Sequence, residues 1–216
     1  DKPYYVNQLG IIVNSLQETE KEVFGEIYKK AMIQRLINSE KINIDNEQLY
    51  IDKLIFKYQI DCASRVPVIL NDYKKSLEST NEFNYINNSN SKVITATYDI
   101  WELKENNCLE FVNPEYEKEI NNFKSNFREY YKCRYESKDL KWCDYLSNCI
   151  IIFNGNELKC SLKQADILSL FNKNDSININ DYKLDELVLN SLVRSKILNL
   201  QGTNPVSYTH LTLPTT

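Results

Sequence analysis

The sequence predicts a mainly α protein with an α+β part: a helical bundle, then a small β-sheet and a winged-helix-like unit. Three observations carry that expectation. Apolar residues recur at helical spacing through most of residues 9–83. An Asn-Gly pair at 154–155 separates two extended runs, the strongest short-range sign of a hairpin. The order helix, turn, helix, strand then follows across residues 161–201. The expected domains are a helical bundle over 1–92, an α/β part over 93–201 containing the winged-helix-like unit, and a tail over 202–216.

Residues 9–37 read as one long helix, with Leu9, Val13, Leu16, Phe24, Tyr28 and Leu36 in a rough 3.6 period. Gly25 within it is less favourable than Ala by about 1 kcal/mol. A second helix is expected to start at Asp45, with Gln48 completing a capping box, and to carry Leu49, Ile51, Leu54, Ile55 and Tyr58 on one face. A third is expected from Ser64. Pro67 then falls in its first turn, where a missing N–H has no intrahelical partner to lose. Residues 84–92, dense in Asn and Ser, read as a linker. Val93–Tyr98 is β-branched and strand-like.

Asn113-Pro114 opens an aromatic-faced helix carrying Ile120, Phe123, Phe127, Tyr130 and Tyr131. A charged turn and an extended segment led by Leu140 and Trp142 follow. The hairpin strands are expected over Cys149–Phe153 and Asn156–Cys160. Ser161 and Gln164 have capping-box spacing and open a helix through Phe171. Another helix is expected within 181–195, and a strand over Lys196–Leu200.

The 216 residues suffice for one or two domains with a sizeable core. Hydrophobic residues at 42% and charged residues at 26% are ordinary for a globular chain. No run approaches the ~20 apolar residues of a bilayer span, and no signal-peptide pattern opens the chain, so no membrane partner is expected. The first residue is Asp, which predicts a cut rather than a natural start. A net charge of −4 argues against broad nucleic-acid binding. The six cysteines lack Cys-x-x-Cys spacing, so no zinc site is expected and the thiols are expected free, as in the cytoplasm or nucleus.

The single histidine, His210, lies in a stretch (206–216) without charge and rich in Thr, Leu and Pro. That stretch is similar to the translated read-through of a transposase sequencing adapter, so 202–216 is expected to be a non-native tail. Without His210 the chain has no histidine, which removes Ser-His-Asp and Cys-His catalysis and His-ligated metals. No glycine-rich phosphate loop occurs either, so no cofactor, metal or catalytic residue is expected. A ubiquitin-accepting thiol at Cys143 or Cys149 is the remaining enzymatic reading; it needs a neighbouring base or cation, and Lys141 stands near Cys143 in sequence.

Several motifs, in order, resemble the C-terminal region of cullins, the scaffolds of multisubunit ubiquitin ligases. Tyr28-Lys-Lys-Ala-Met-Ile-Gln-Arg-Leu-Ile37, containing Arg35 and Leu36, is similar to a Tyr-Lys-Lys-x-Leu-x-x-Arg-Leu-Leu segment. Phe127, Tyr130, Tyr131, Lys138, Leu140 and Trp142 keep the spacing of Phe-x-x-Phe-Tyr-x-x-x-His-Ser-Gly-Arg-x-Leu-x-Trp. Gln164 through Asn172 resembles Gln-x-x-Ile-Leu-x-x-Phe-Asn, and Arg194–Leu198 resembles Lys-Ser-Lys-Leu-Leu. The chain departs from the pattern at Tyr135 and Ser137, which replace His and Gly, and at Gln59 and Glu102, which replace Gly and Pro.

The resemblance implies a non-catalytic scaffold that holds a RING-box protein, which recruits a ubiquitin-conjugating enzyme. It implies β-augmentation as the docking mode, with Ile150, Ile151, Ile152, Phe153 and Leu158 as partner-binding candidates. Substrate adaptors would bind an N-terminal region absent here, and the lysine that accepts a ubiquitin-like protein would lie beyond residue 216. The cullin-like subunit of the anaphase-promoting complex is an alternative within the class. A nucleic-acid-binding winged helix is an alternative outside it, opposed by Asp185 and Glu186 at the start of the second helix.

Overall fold

The computed structural model describes residues 10–39, 42–60, 65–103, 109–153, 155–174, 176–201 and 210–212. The chain divides into two compact units, 1–104 and 105–216. The division falls later than the boundary expected after residue 92; the first unit is helical and the second adds small antiparallel sheets.

In the first unit the long helix expected over 9–37 is broken. A short helix at 10–14 is followed by an extended Gln17, and α1 runs Glu18–Asn38. The cause is local: the Gln17 backbone N–H donates to the Glu20 carboxylate at 2.8 Å, starting the helix afresh. α2 spans Ile44–Asp52 and continues as a π-turn over Lys53–Lys57. Its cap is Asn43, whose side chain accepts from the Asn46 N–H at 2.9 Å, not Asp45. Gln48 donates to Asp52 instead of reaching back. α3 runs Val66–Asn87, with Pro67 in its first turn as expected; the start expected at Ser64 lies outside the described residues.

The linker reading at 84–92 is only partly right. Residues 84–87 finish α3, and left-handed Asn88 ends it. The Asn84 side chain then gathers Ser89 and Ser91, through Ser91 N–H to Oδ1 at 3.1 Å and Nδ2 to Ser91 carbonyl at 2.7 Å.

Val93–Thr97 is not a strand, because α3 supplies its partners, and Tyr98 already belongs to the next helix. Val93 N–H donates to Thr80 Oγ1 (3.1 Å), Thr95 N–H to Ser76 Oγ (2.8 Å) and Thr97 N–H to Asp72 Oδ2 (3.0 Å). Alternate residues of the extended chain thus meet positions i, i+4 and i+8 of one helix face. The short helix α4, Tyr98–Trp101, follows, and buried Trp101 donates its indole N–H to the same Asp72 oxygen at 3.1 Å. Met32, Leu36, Ile51, Leu54, Ile69 and Leu70, all fully buried, form the centre of this unit's core.

In the second unit Asn113 caps α5 (Pro114–Arg134) by accepting from the Glu115 N–H at 3.1 Å. Phe127 is fully buried on its face. The segment of Leu140 and Trp142 is irregular rather than a strand, held by Arg128 donating to the Leu140 carbonyl at 3.1 Å. A 3₁₀ turn at Asp144–Leu146 leads to β1 (Asn148–Phe153) and β2 (Asn156–Ser161), the expected hairpin.

α6 (Leu162–Ser169) has the expected Ser161/Gln164 capping box and passes into a 3₁₀ turn through Asn172. β3 (Ser176–Asn178), α7 (Glu186–Arg194) and β4 (Asn199–Gln201) follow. β5, His210–Thr212, lies between β3 and β4 and pairs antiparallel with both. The tail set apart from the fold therefore contributes the middle strand of this sheet. Ile167, Leu192 and Leu198 centre the second core.

Candidate partner-binding site

The hairpin begins with its turn. Gly155 has φ +75°, a conformation that glycine adopts without Cβ strain, and Phe153 pairs directly with Asn156. That register fixes which side chains share a face. Cys149 and Ile151 oppose Cys160 and Leu158 on the inner face. There Ile151 and Leu158 pack against the second core. Ile150 and Ile152 oppose Lys159 and Glu157 on the outer face.

The outer face is open. Ile150 is 56% and Ile152 81% exposed. Among the described residues β1 and β2 pair only with each other, so no third strand lies along the outer edge of β1. Of the partner-binding candidates, Ile150 and Ile152 are presented outward, whereas Ile151 and Leu158 are used internally. Phe153 lies in β1, and its side chain is outside the described residues.

The hairpin base is rigidly held. The Leu162 N–H donates to the Ser147 carbonyl at 3.3 Å, and α6 packs against both strands. Buried Asp144 pairs with Lys124 of α5 at 2.7 Å. Asp166 of α6, also buried, accepts from the Val112 and Asn113 N–H groups at 2.8 and 3.0 Å. Burial pushes the Asp166 carboxyl above its ordinary range, and those two N–H groups oppose the shift.

A cluster of polarisable groups sits under the hairpin. Cys149 Sγ and Cys160 Sγ are 3.6 Å apart, and the Tyr116 hydroxyl of α5 lies 3.7 Å from Cys149 Sγ. The hydrogen bond from Cys160 lowers the Cys149 thiol to about 7, burial resists, and the Tyr116 hydroxyl adds to the lowering. Cys160 is pushed up by the same pairing and by burial. Tyr116 is raised by burial and by the Cys149 sulfur. Cys149 is thus flanked by Tyr116 and Cys160. Tyr116 and Cys160 were missed from sequence, although Cys149 and Cys160 stand symmetrically about Asn154-Gly155, which foretells their meeting.

Most of the motif residues of the resemblance make contacts within the fold. Arg35 grips the Glu47 carboxylate with two donors, at 3.1 and 2.9 Å, and its guanidinium lies over the Tyr28 ring. The Tyr28 hydroxyl donates to Glu47 at 3.3 Å; burial, then Glu47, raise its pKa well above the ordinary phenol range. Leu36 is fully buried. Phe127 stacks on Tyr131 and meets Tyr130 and Trp142 at ring distances of 5.8–6.3 Å. Leu140 anchors the turn through its carbonyl. Gln164 closes the cap of α6 and donates to Ser191 Oγ of α7 at 2.9 Å, while Asn172 is exposed at the end of the 3₁₀ turn. Among the described residues no cluster of three or more His, Cys, Asp or Glu residues is placed to hold a metal, and no helix is long and apolar enough to cross a membrane.

Residues 94–206 match the family model described as the cullin alpha+beta domain. The chain is 28% identical over 165 residues to Cullin-4 of Dictyostelium discoideum, covering 70% of this chain and 20% of that protein. It is 22% identical over 203 residues to Cullin-4 of Caenorhabditis elegans, covering 84% and 22%. Cullin-1 of Dictyostelium discoideum is 22% identical over 211 residues, 90% of this chain and 26% of that protein. The chain therefore spans a fifth to about a quarter of the length of these curated relatives.

Proposed function

The chain belongs to the cullin family through its alpha+beta domain, and from that premise we propose that it serves as part of the non-catalytic scaffold of a ubiquitin ligase. In this reading the hairpin β1–β2 receives an extended strand of a RING-box protein, which brings the ubiquitin-conjugating enzyme. The observation that carries it is the outer face of β1, where Ile150 and Ile152 are exposed beside an edge that no third strand covers among the described residues. An incoming strand would satisfy that edge and cover both isoleucines. Burying each side chain contributes roughly 1.5–3 kcal/mol before ordering costs. The inner face, packed against α6, gives the partner a fixed template.

Substrate adaptors would bind elsewhere in a longer protein, and the assembly would work in the cytoplasm, the nucleus or both. The winged-helix alternative gains no support from α7. Its first N–H groups are taken by the Asp185 carboxylate, which accepts from Leu187 and Val188 at 2.9 and 3.2 Å. A negative group at that end opposes approach to phosphate.

Co-purification with a RING-box protein tests the proposal. A stable complex is expected, and the double substitution Ile150→Asp with Ile152→Asp is expected to weaken it at least about tenfold, as loss of buried apolar surface requires. Failure of a folded, monodisperse chain to bind would overturn the reading.

A further inference from the structure

The scaffold reading leaves the inner-face cysteines unused. Cys149 and Cys160 are directly opposed in the hairpin register, with their sulfurs 3.6 Å apart. Directly opposed antiparallel residues have Cα atoms about 4.5–5.5 Å apart. That range lies inside the roughly 4.4–6.8 Å found for disulfides. The register and the sulfur separation are therefore compatible with a disulfide. We propose that Cys149 and Cys160 form a reversible thiol–disulfide site that staples the hairpin, closed by a low-molecular-weight disulfide of the glutathione type and reopened by the corresponding thiol.

The two cysteines are not equivalent. Cys149 is partly exposed, whereas Cys160 is 5% exposed, so an incoming oxidant meets Cys149. The Tyr116 hydroxyl donates to the Cys149 sulfur, and the Cys160 thiol, 3.6 Å away, is within reach to do the same, which favours the Cys149 thiolate. In the first step this thiolate attacks one sulfur of the oxidant. The oxidant's S–S bond breaks, and one small thiolate leaves and takes up the proton that Cys149 released.

In the second step Cys160 gives up its proton and attacks the Cys149 sulfur. The mixed disulfide breaks, and the second small thiol leaves with that proton. Two protein thiols are oxidised, and one small disulfide is reduced to two thiols. The order follows from the pairing: the hydrogen bond with the Cys149 sulfur, and its charge, which together with burial hold the Cys160 thiol up, are removed once Cys149 is in the mixed disulfide, leaving burial alone.

Cys143 provides an internal comparison, because burial and Asp144 push its thiol up. The test incubates the full chain in glutathione buffers of graded oxidised-to-reduced ratio, blocks free thiols with N-ethylmaleimide and maps the peptides by mass spectrometry. A Cys149–Cys160 linked peptide is expected, reversed by reduced glutathione, with Cys143 still blocked by maleimide. At neutral pH, Cys149 is expected to be alkylated at least about tenfold faster than Cys143. Cys160→Ser is expected to trap glutathione on Cys149, and Cys149→Ser to leave Cys160 reduced. The wild-type readout decides the matter even where a variant fails to fold. Glutathione retained on wild-type Cys149 without the link, a link seen only in urea, or no oxidation at Cys149 would each overturn the proposal.

Discussion

Asp166 carries more of the second unit than its chemistry suggests. Its carboxylate receives two backbone N–H groups from the segment that leads into α5. Asp166→Ala leaves both donors without that partner and is expected to lower stability by about 1–3 kcal/mol, with Asp166→Asn recovering part of the loss, read from urea midpoints. Gln59 has φ +53°, where a side chain is strained, and it occupies a position at which the motif has Gly. Gln59→Gly is expected to stabilise the first unit by up to about 1 kcal/mol, seen as a higher melting temperature. Glu102 binds buried Lys29 at 2.7 Å, and this hydrogen bond and charge hold its carboxyl below the usual range. A depressed carboxyl contributes stability above its unfolded value near ~4.3, lost as pH falls through the folded value. Thermal melts of wild type and Glu102→Gln should therefore differ at neutral pH and converge in acid.

At the scale of elements, what was legible was what neighbours in sequence encode. Asn113-Pro114, Ser161 with Gln164, and Asn154-Gly155 each announce a start or a turn within a few residues, and the first two caps and the hairpin register agree. Val93–Tyr98 was misread because β-branched composition specifies an extended backbone, not its partner. The side chains of Asp72, Ser76 and Thr80 supply the partners a second strand would have given. Asp45 was misread as a cap because Asn43, two residues earlier, already starts the helix by accepting from the Asn46 N–H, which puts Asp45 inside the first turn. Of the partner-binding candidates, the alternation of β1 divides the isoleucines between faces, which the run of three could not reveal. β5 makes a direct test available: deleting residues 202–216 should speed amide exchange at Ile177 and Leu200, which pair with Leu211, and leave the first unit unchanged.

At the scale of the whole chain, two separate cores answer to separate perturbations. Leu36→Ala removes a fully buried side chain from the first core and is expected to cost about 2–5 kcal/mol. Hydrogen exchange should then quicken across residues 18–103 while protection at Ile167 and Leu192 is kept. The charge and composition set the class of molecule, and the ordered motifs set the family, because both are properties of the linear chain.

The sequence by itself determined the helices' apolar faces, the caps at Asn113 and Ser161, the hairpin and the aromatic spacing at Phe127–Trp142. Only the tertiary structure decided that Asp166 reaches the Val112 N–H, 54 residues away, that Cys149 meets both Cys160 and Tyr116, and that His210–Thr212 enters a sheet. The division has a physical cause. Periodicity and capping act over a few residues along the backbone, whereas satisfying a buried N–H or covering a strand edge depends on groups that only folding brings together.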